Sequence, residues 1–203
     1  LIATNSTDDE EKIIFFQPDR SPFLEYDLSK IVTNLANPNR RTVGLYTDLP
    51  MLGTFNPLAK TQDAATAPPW AVYNQMKEFF EITRIHEKTK SLPEGLKLLM
   101  LVHPKRISER LMYRIDQFVL RGGKLLIFID PNSETESFSP DKNQIGEGSN
   151  ESNLSQLLNK WGIELVENKV VGDLLSARRV EIGASDQPSV TDYIAWLDIK
   201  KDH

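Results

Sequence analysis

Two stretches of the chain are apolar without interruption, Leu98–Val102 and Leu125–Ile129, and between them the pattern changes period. Short unbroken apolar runs suit strands buried on both faces, as in a parallel sheet between layers of helices. In the interval, Ile107, Leu111, Ile115, Phe118 and Val119 recur at helical spacing, while Glu109, Arg110, Arg114, Gln117 and Arg121 mark a wet face. Gly122 and Gly123 then stop the helix, because glycine takes left-handed backbone angles without a steric penalty. Leu98–Pro131 therefore reads as one strand, helix, strand unit whose strands end in His103-Pro104 and Asp130-Pro131.

The same order precedes it. Ser6–Lys12, STDDEEK, is too polar to bury and reads as a loop or a solvated helix start, and Ile13–Phe16 as a short strand. Ser21-Pro22 predicts a capped helix start, and Leu24, Leu28, Ile31, Val32 and Leu35 continue it as an apolar stripe to Ala36. After Asn37-Pro38-Asn39, Thr42–Tyr46 is the next strand, ending in Thr47-Asp48. Trp70, Tyr73, Met76, Phe79 and Phe80 line one face of a further helix, and Ile82–Ile85 follows as a strand. Alternating strands and helices of this kind build an open, mainly parallel α/β sheet with helices on both faces.

Two long segments interrupt the order. Met51–Pro69 has no sustained period, and Asn132–Ser152 is rich in Ser, Asn, Glu and Gly; loops of such length are commonly functional. Leu154, Leu157, Leu158 and Trp161 restart a helix that Gly162 ends. Ile163–Val166, Val170–Leu175 and Val180–Ile182 read as short strands, the last two as an edge hairpin.

At 203 residues, one α/β domain with a good core is expected. With 24 basic and 29 acidic side chains the net charge is −5, which offers no polycation for nucleic acid. Cysteine is absent, so disulfides, thiol nucleophiles and thiolate metal sites are excluded together. No apolar run approaches the roughly 20 residues needed to span a bilayer. The chain opens at Leu1 within an apolar LIAT and stops just after YIAWLDI, so we expect a fragment of a longer chain with membrane segments beyond it.

Ligands of open α/β sheets sit outside the carboxyl ends of the strands. Those ends supply Asp48, His103 and Asp130, which can converge on a small polar ligand with His103 as a proton shuttle. The plainer reading is that the His-Pro and Asp-Pro pairs only turn the chain. Trp70, at the head of an apolar stripe, is either a core ring or an exposed anchor for a partner. Glycine-rich nucleotide loops, an HExxH pair and a GxSxG turn are all missing, and Ser108 is best placed as a helix N-cap. The reading is therefore no cofactor, no metal site and no catalytic centre.

Several segments together resemble a known family: Thr4–Leu35, Val43–Gly53 (VGLYTDLPMLG), Leu98–Ser108 (LLMLVHPKRIS), Tyr113–Pro131 (YRIDQFVLRGGKLLIFIDP) and Val190–Ile199 (VTDYIAWLDI). They are similar to the soluble part of the GldG-type, gliding-motility-associated auxiliary proteins of ABC transport systems. The resemblance implies a flavodoxin-like or glutamine-amidotransferase-like fold and a membrane-anchored chain in the cell inner membrane, with this domain in the periplasm. It implies an ABC permease and ATPase as partners, and a non-catalytic binding or scaffolding role. Two other roles stay open: a domain that delivers a small molecule or glycan to the transporter, and a cryptic hydrolase of amidotransferase-like fold. Where such a hydrolase needs a nucleophile after the strand, His103 and Pro104 stand instead.

Overall fold

A small antiparallel hairpin opens the chain, β1 (Ile2–Thr4) against β2 (Glu10–Lys12), with Ile2 opposite Lys12. The acidic stretch expected as a loop or helix start is thus a turn and a strand. The side chain of Asn5 explains it: its Oδ1 accepts from Thr7 N at 2.9 Å and from Asp9 N at 3.0 Å, which gives the turn its own hydrogen bonds. The computed structural model describes residues 1–13, 18–55, 66–105, 107–137, 150–166, 169–182 and 189–198. Most of the strand expected over Ile13–Phe16 lies outside them. The chain forms two compact units, Leu1–Ile129 and Asp130–His203.

In the first unit a 3-10 turn, Pro18–Phe23, leads into α1 (Leu24–Ala36). The helix expected from Pro22 starts two residues later, and Ser21 is not its cap; Phe23 stands at that position with no side-chain bond. Proline's fixed φ suits a 3-10 turn as well as a first α turn, so the Ser-Pro signal marks the approach and not the boundary. Next come β3 (Arg41–Thr47), a two-residue pair of β4 (Thr54–Phe55) with β5 (Thr66–Ala67), α2 (Ala71–Phe79) and β6 (Phe80–Arg84). Phe80, placed on the helix by its spacing, is already the first strand residue. The unit closes with β7 (Leu98–Val102), α3 (Glu109–Leu120) and β8 (Lys124–Phe128).

These strands form one parallel sheet in the order β6-β3-β7-β8. From β3 the chain steps one way to β6 and afterwards the other way to β7 and β8. Right-handed crossovers then put α2 and α3 on opposite faces of the sheet. α1 keeps company with α2: Lys30 Nζ lies 2.7 Å from Glu78, and Tyr26 donates to Gln75 at 3.3 Å. The connection from β6 to β7 shares the α3 side, where the Arg114 guanidinium donates to the Thr89 carbonyl.

Register fixes what each face buries. Gly44 pairs with Leu99 and Tyr46 with Leu101, while Leu99 pairs with Leu125 and Leu101 with Ile127, so all six point to one face. Leu99 and Leu101 are fully buried there, as are Leu111 and Ile115 on α3. The other face of β8 differs from the two-sided burial expected: Leu126 and Phe128 are exposed. β8 is one of the two edge strands of this sheet, and α2 lies against β6 at the other edge.

The second unit begins with α4 (Glu134–Ser137), followed by α5 (Ser155–Leu158) and a 3-10 turn, Asn159–Trp161, which Gly162 ends at φ +77°. Leu154, Leu157 and Leu158 are buried, as their spacing predicts. The Asn132–Ser152 excursion is pinched at its base, with Ser133 N donating to Asn150 O at 2.8 Å and Ser152 N to Asp130 O at 2.9 Å. Ile163–Val166 and Val170–Leu175 are not strands but irregular backbone. The hairpin here is β9 (Ala177–Ile182) against β10 (Ser189–Leu197), so Val180–Ile182 pairs forward in sequence and not back with Val170–Leu175. The Tyr193 hydroxyl donates to the Glu134 carboxylate, which raises that phenol above its ordinary range.

Candidate functional site

The strand order has a reversal between β3 and β7: the chain leaves β3 toward β6 and leaves β7 toward β8. In doubly wound sheets this is the switch point, where the loops diverge and open a crevice above the strand ends. Thr47 and Val102 are register partners at that edge, so the residues just past them, Asp48 and His103, are brought side by side.

His103 begins a turn held from both flanks. Its backbone N donates to Phe128 O at 2.8 Å, which extends the β7–β8 ladder by one bond. Two residues on, Lys105 N donates to Asp48 Oδ2 at 2.8 Å, which ties the turn to the end of β3. Both His103 and Pro104 are buried, and His103 has φ +49°. A side chain in the left-handed region is uncommon, and one that also precedes proline is more constrained, so this turn stores strain on the order of 1–3 kcal/mol. The His103 side chain, read from the sequence as a candidate proton shuttle at the strand end, is thus enclosed, 1% exposed. Asp48, by contrast, is exposed.

The other two residues singled out by sequence serve local structure. Asp130 belongs to the second unit, where its carboxylate accepts from Asn132 N at 2.9 Å and its backbone N donates to Ser152 Oγ at 2.8 Å. It is the hinge pin of the Asn132–Ser152 excursion. Trp70 precedes α2 and is half-buried; its N donates to Met51 O at 3.0 Å and its carbonyl accepts from Asn74 N at 3.1 Å. That joins the two ends of the Met51–Pro69 loop. Ser108 caps α3, with Oγ accepting from Leu111 N at 3.4 Å, as its position predicts.

Two features escaped sequence reasoning. Past the end of β6, His86, Glu87, Lys88 and Thr89 line a hollow of about 520 Å3, closed on itself by His86 N donating to Thr89 Oγ1 at 2.8 Å. Between α1 and α2 a polar cleft of about 320 Å3 is built from Lys30–Glu78, from Asn34 donating to Glu11 at 2.9 Å, and from Arg40 donating to the Lys77 carbonyl at 2.9 Å. The i, i+4 spacings Lys30/Asn34 and Asn74/Glu78 were visible in the sequence, but not that the two helices face each other. Among the described residues no group of His, Asp or Glu side chains assembles with the number a metal ion needs, and no helix is long and apolar enough to cross a membrane.

Residues 40–203 match the model of a family described as an ABC-type uncharacterized transport system. No curated protein and no solved structure matches the chain.

Proposed function

We propose, from the premise that this chain belongs to that auxiliary family of ABC-type transport systems, that it is a binding or scaffolding component which performs no chemistry of its own. The observation that carries this reading is the His103–Pro104 turn. Where an amidotransferase-like or hydrolase-like sheet raises a nucleophile on a sharp turn after the strand, this chain places two buried rings and clamps the backbone between Asp48 and Phe128. The clamp also fixes the exposed Asp48 beside the turn, and a surface held in place lowers the ordering cost of binding a partner.

In this reading the domain faces the extracytoplasmic side of the inner membrane, in a membrane-anchored chain of the GldG type, and it contacts the permease and ATPase assembly. The resemblance of Val43–Gly53 and Leu98–Ser108 supports that finer placement. The absence of cysteine makes topology directly measurable. A Ser6→Cys variant is expected to react in intact cells with a maleimide that cannot cross the inner membrane; protection of that cysteine until the cells are lysed overturns the location. Co-purification with the permease or ATPase tests the role, and a folded chain that recovers neither subunit overturns it.

A second reading draws on the hollow at His86–Thr89, which lies at the same strand-end side of the sheet as the switch point. It holds that the domain takes up a small polar molecule or glycan and passes it to the transporter. Calorimetric titration with a glycan panel tests this, and heats no larger than dilution for every glycan remove it.

A further inference from the structure

The two edges of the parallel sheet are finished differently. β6 ends one side and shows Glu81 and Arg84 to solvent, charged side chains of the kind that keep another strand from adding. β8 ends the other side among the described residues, and there Leu126 and Phe128 are 43% and 49% exposed. No proline interrupts Lys124–Phe128, and its register with β7 runs without a bulge. An apolar edge left this plain is a template for a further strand.

The backbone shows which groups are open. Lys124 N donates to Lys97 O at 2.9 Å, and His103 N donates to Phe128 O at 2.8 Å. Bonds to one neighbouring strand come from alternate residues, so Lys124, Leu126 and Phe128 spend theirs on β7. The N–H and C=O groups of Leu125 and Ile127 therefore point away from β7, into the open edge, with Leu126 midway between them.

We propose that β8 pairs antiparallel with β8 of a second copy of this chain, about a two-fold axis at Leu126, joining two four-stranded sheets into one. That register sets Leu125 opposite Ile127 of the second copy and Ile127 opposite its Leu125, so every outward N–H and C=O of the two residues gains a partner. It sets Leu126 against its own copy, and Lys124 beside Phe128 of the second copy, an ammonium beside a ring with no like charges opposite. Lys124 is the one charge on the strand, so its complement on this edge is apolar and aromatic, which is what a second β8 supplies. Pairing with β6 of another copy would instead face Leu126 and Phe128 with a charged edge, and such a head-to-tail contact leaves a free edge for the next copy.

α3 fits the same axis. It lies over the two strands it joins, with the Phe118 ring packed where a Cβ on Gly123 would stand, 2.4 Å away. Across the axis, α3 of the second copy would lie two strand spacings off, about 10 Å, the packing distance of two helices. The pairing requires the chain alone, so it stands apart from any transporter subunit met at the switch point.

Because cysteine is absent, one introduced thiol reports the register. At the axis the two Leu126 Cα atoms would be about 4.5 Å apart, within disulfide reach. Leu126→Cys is expected to cross-link into a dimer under a mild oxidant. Phe128→Cys, whose copies would be about 14 Å apart, and Val72→Cys, exposed on α2, are expected to stay uncross-linked. In sedimentation the cysteine-free chain is expected to dimerise at a concentration on the order of 100 μM, as small specific interfaces do. Leu126→Lys, which sets two ammonium groups face to face at the axis, should weaken the dimer by about tenfold. Leu126 is exposed, so the variants are expected to fold, and circular dichroism checks this. A chain that remains monomeric at that concentration overturns the proposal. So does a dimer that Leu126→Lys leaves equally strong, or cross-linking no faster at Leu126→Cys than at Phe128→Cys and Val72→Cys.

Discussion

At Gly44 the cost of one methyl group is set by its neighbours. A Cβ there would lie 3.0 Å from Leu99 Cδ1 and 3.1 Å from Leu96 Cδ2, both on buried side chains. Gly44→Ala is therefore expected to lower stability by about 1–3 kcal/mol, the usual cost of overpacking a core. Urea unfolding measures it, and a variant as stable as the wild type would show that Leu96 moves aside freely. Asp9 makes a prediction of the opposite kind, at the surface. Hydrogen bonds from Asn5 and then Thr7 hold its carboxyl below the ordinary value of 3.8. A depressed carboxyl stabilises the folded turn above its unfolded value and loses that contribution as pH falls through the folded one. The Asp9 carboxyl resonance should thus titrate with a midpoint below 3.8, and a midpoint at or above it would mean the Asn5 turn does not persist in solution. What approaches Gly44 was not legible in the sequence, because Leu96 comes from a loop with no period of its own.

Among the elements, α3 and α1 separate apolar pattern from burial. Their stripes look alike in sequence, yet Leu111 and Ile115 of α3 are fully buried, whereas α1 buries only Ile31 and leaves Val32 exposed. Ile115→Ala should cost about 2–5 kcal/mol and Val32→Ala under about 0.5 kcal/mol by the same denaturation measurement. Equal costs would show that α1 packs against something in solution. This difference also marks where the sequence stopped being legible. Leu98–Pro131 was readable because its strand, helix and strand are consecutive and complete one another. Ile163–Val166 and Val170–Leu175 have the same β-branched and aliphatic composition as strands but take no place in a sheet, and strand propensity reports a half-buried surface without supplying the partner. Asp48 and His103 were correctly placed at strand ends, and their adjacency follows from the order β6-β3-β7-β8, which no local pattern contains.

For the molecule as a whole, the distribution of buried strands predicts where it is most durable. β3 and β7 are the central pair of the parallel sheet, with Val43, Leu45, Tyr46, Leu99 and Leu101 buried, while β10 is exposed along nearly all its length. A two-stranded hairpin by itself is only marginally stable in water. Amide exchange should accordingly be slowest at Leu45, Leu99 and Leu101 and fast across Ala177–Leu197. Comparable protection in both would reveal a cover on the hairpin.

The turn at His103–Lys105 has one more consequence, which is mechanical. Its backbone is joined to β8 through Phe128, to β3 through Asp48, and to β7 by continuity. A tug delivered at this point would load three neighbouring strands at once instead of peeling one from the sheet. Unfolding under force applied at this corner is therefore expected to require the loss of several backbone bonds together.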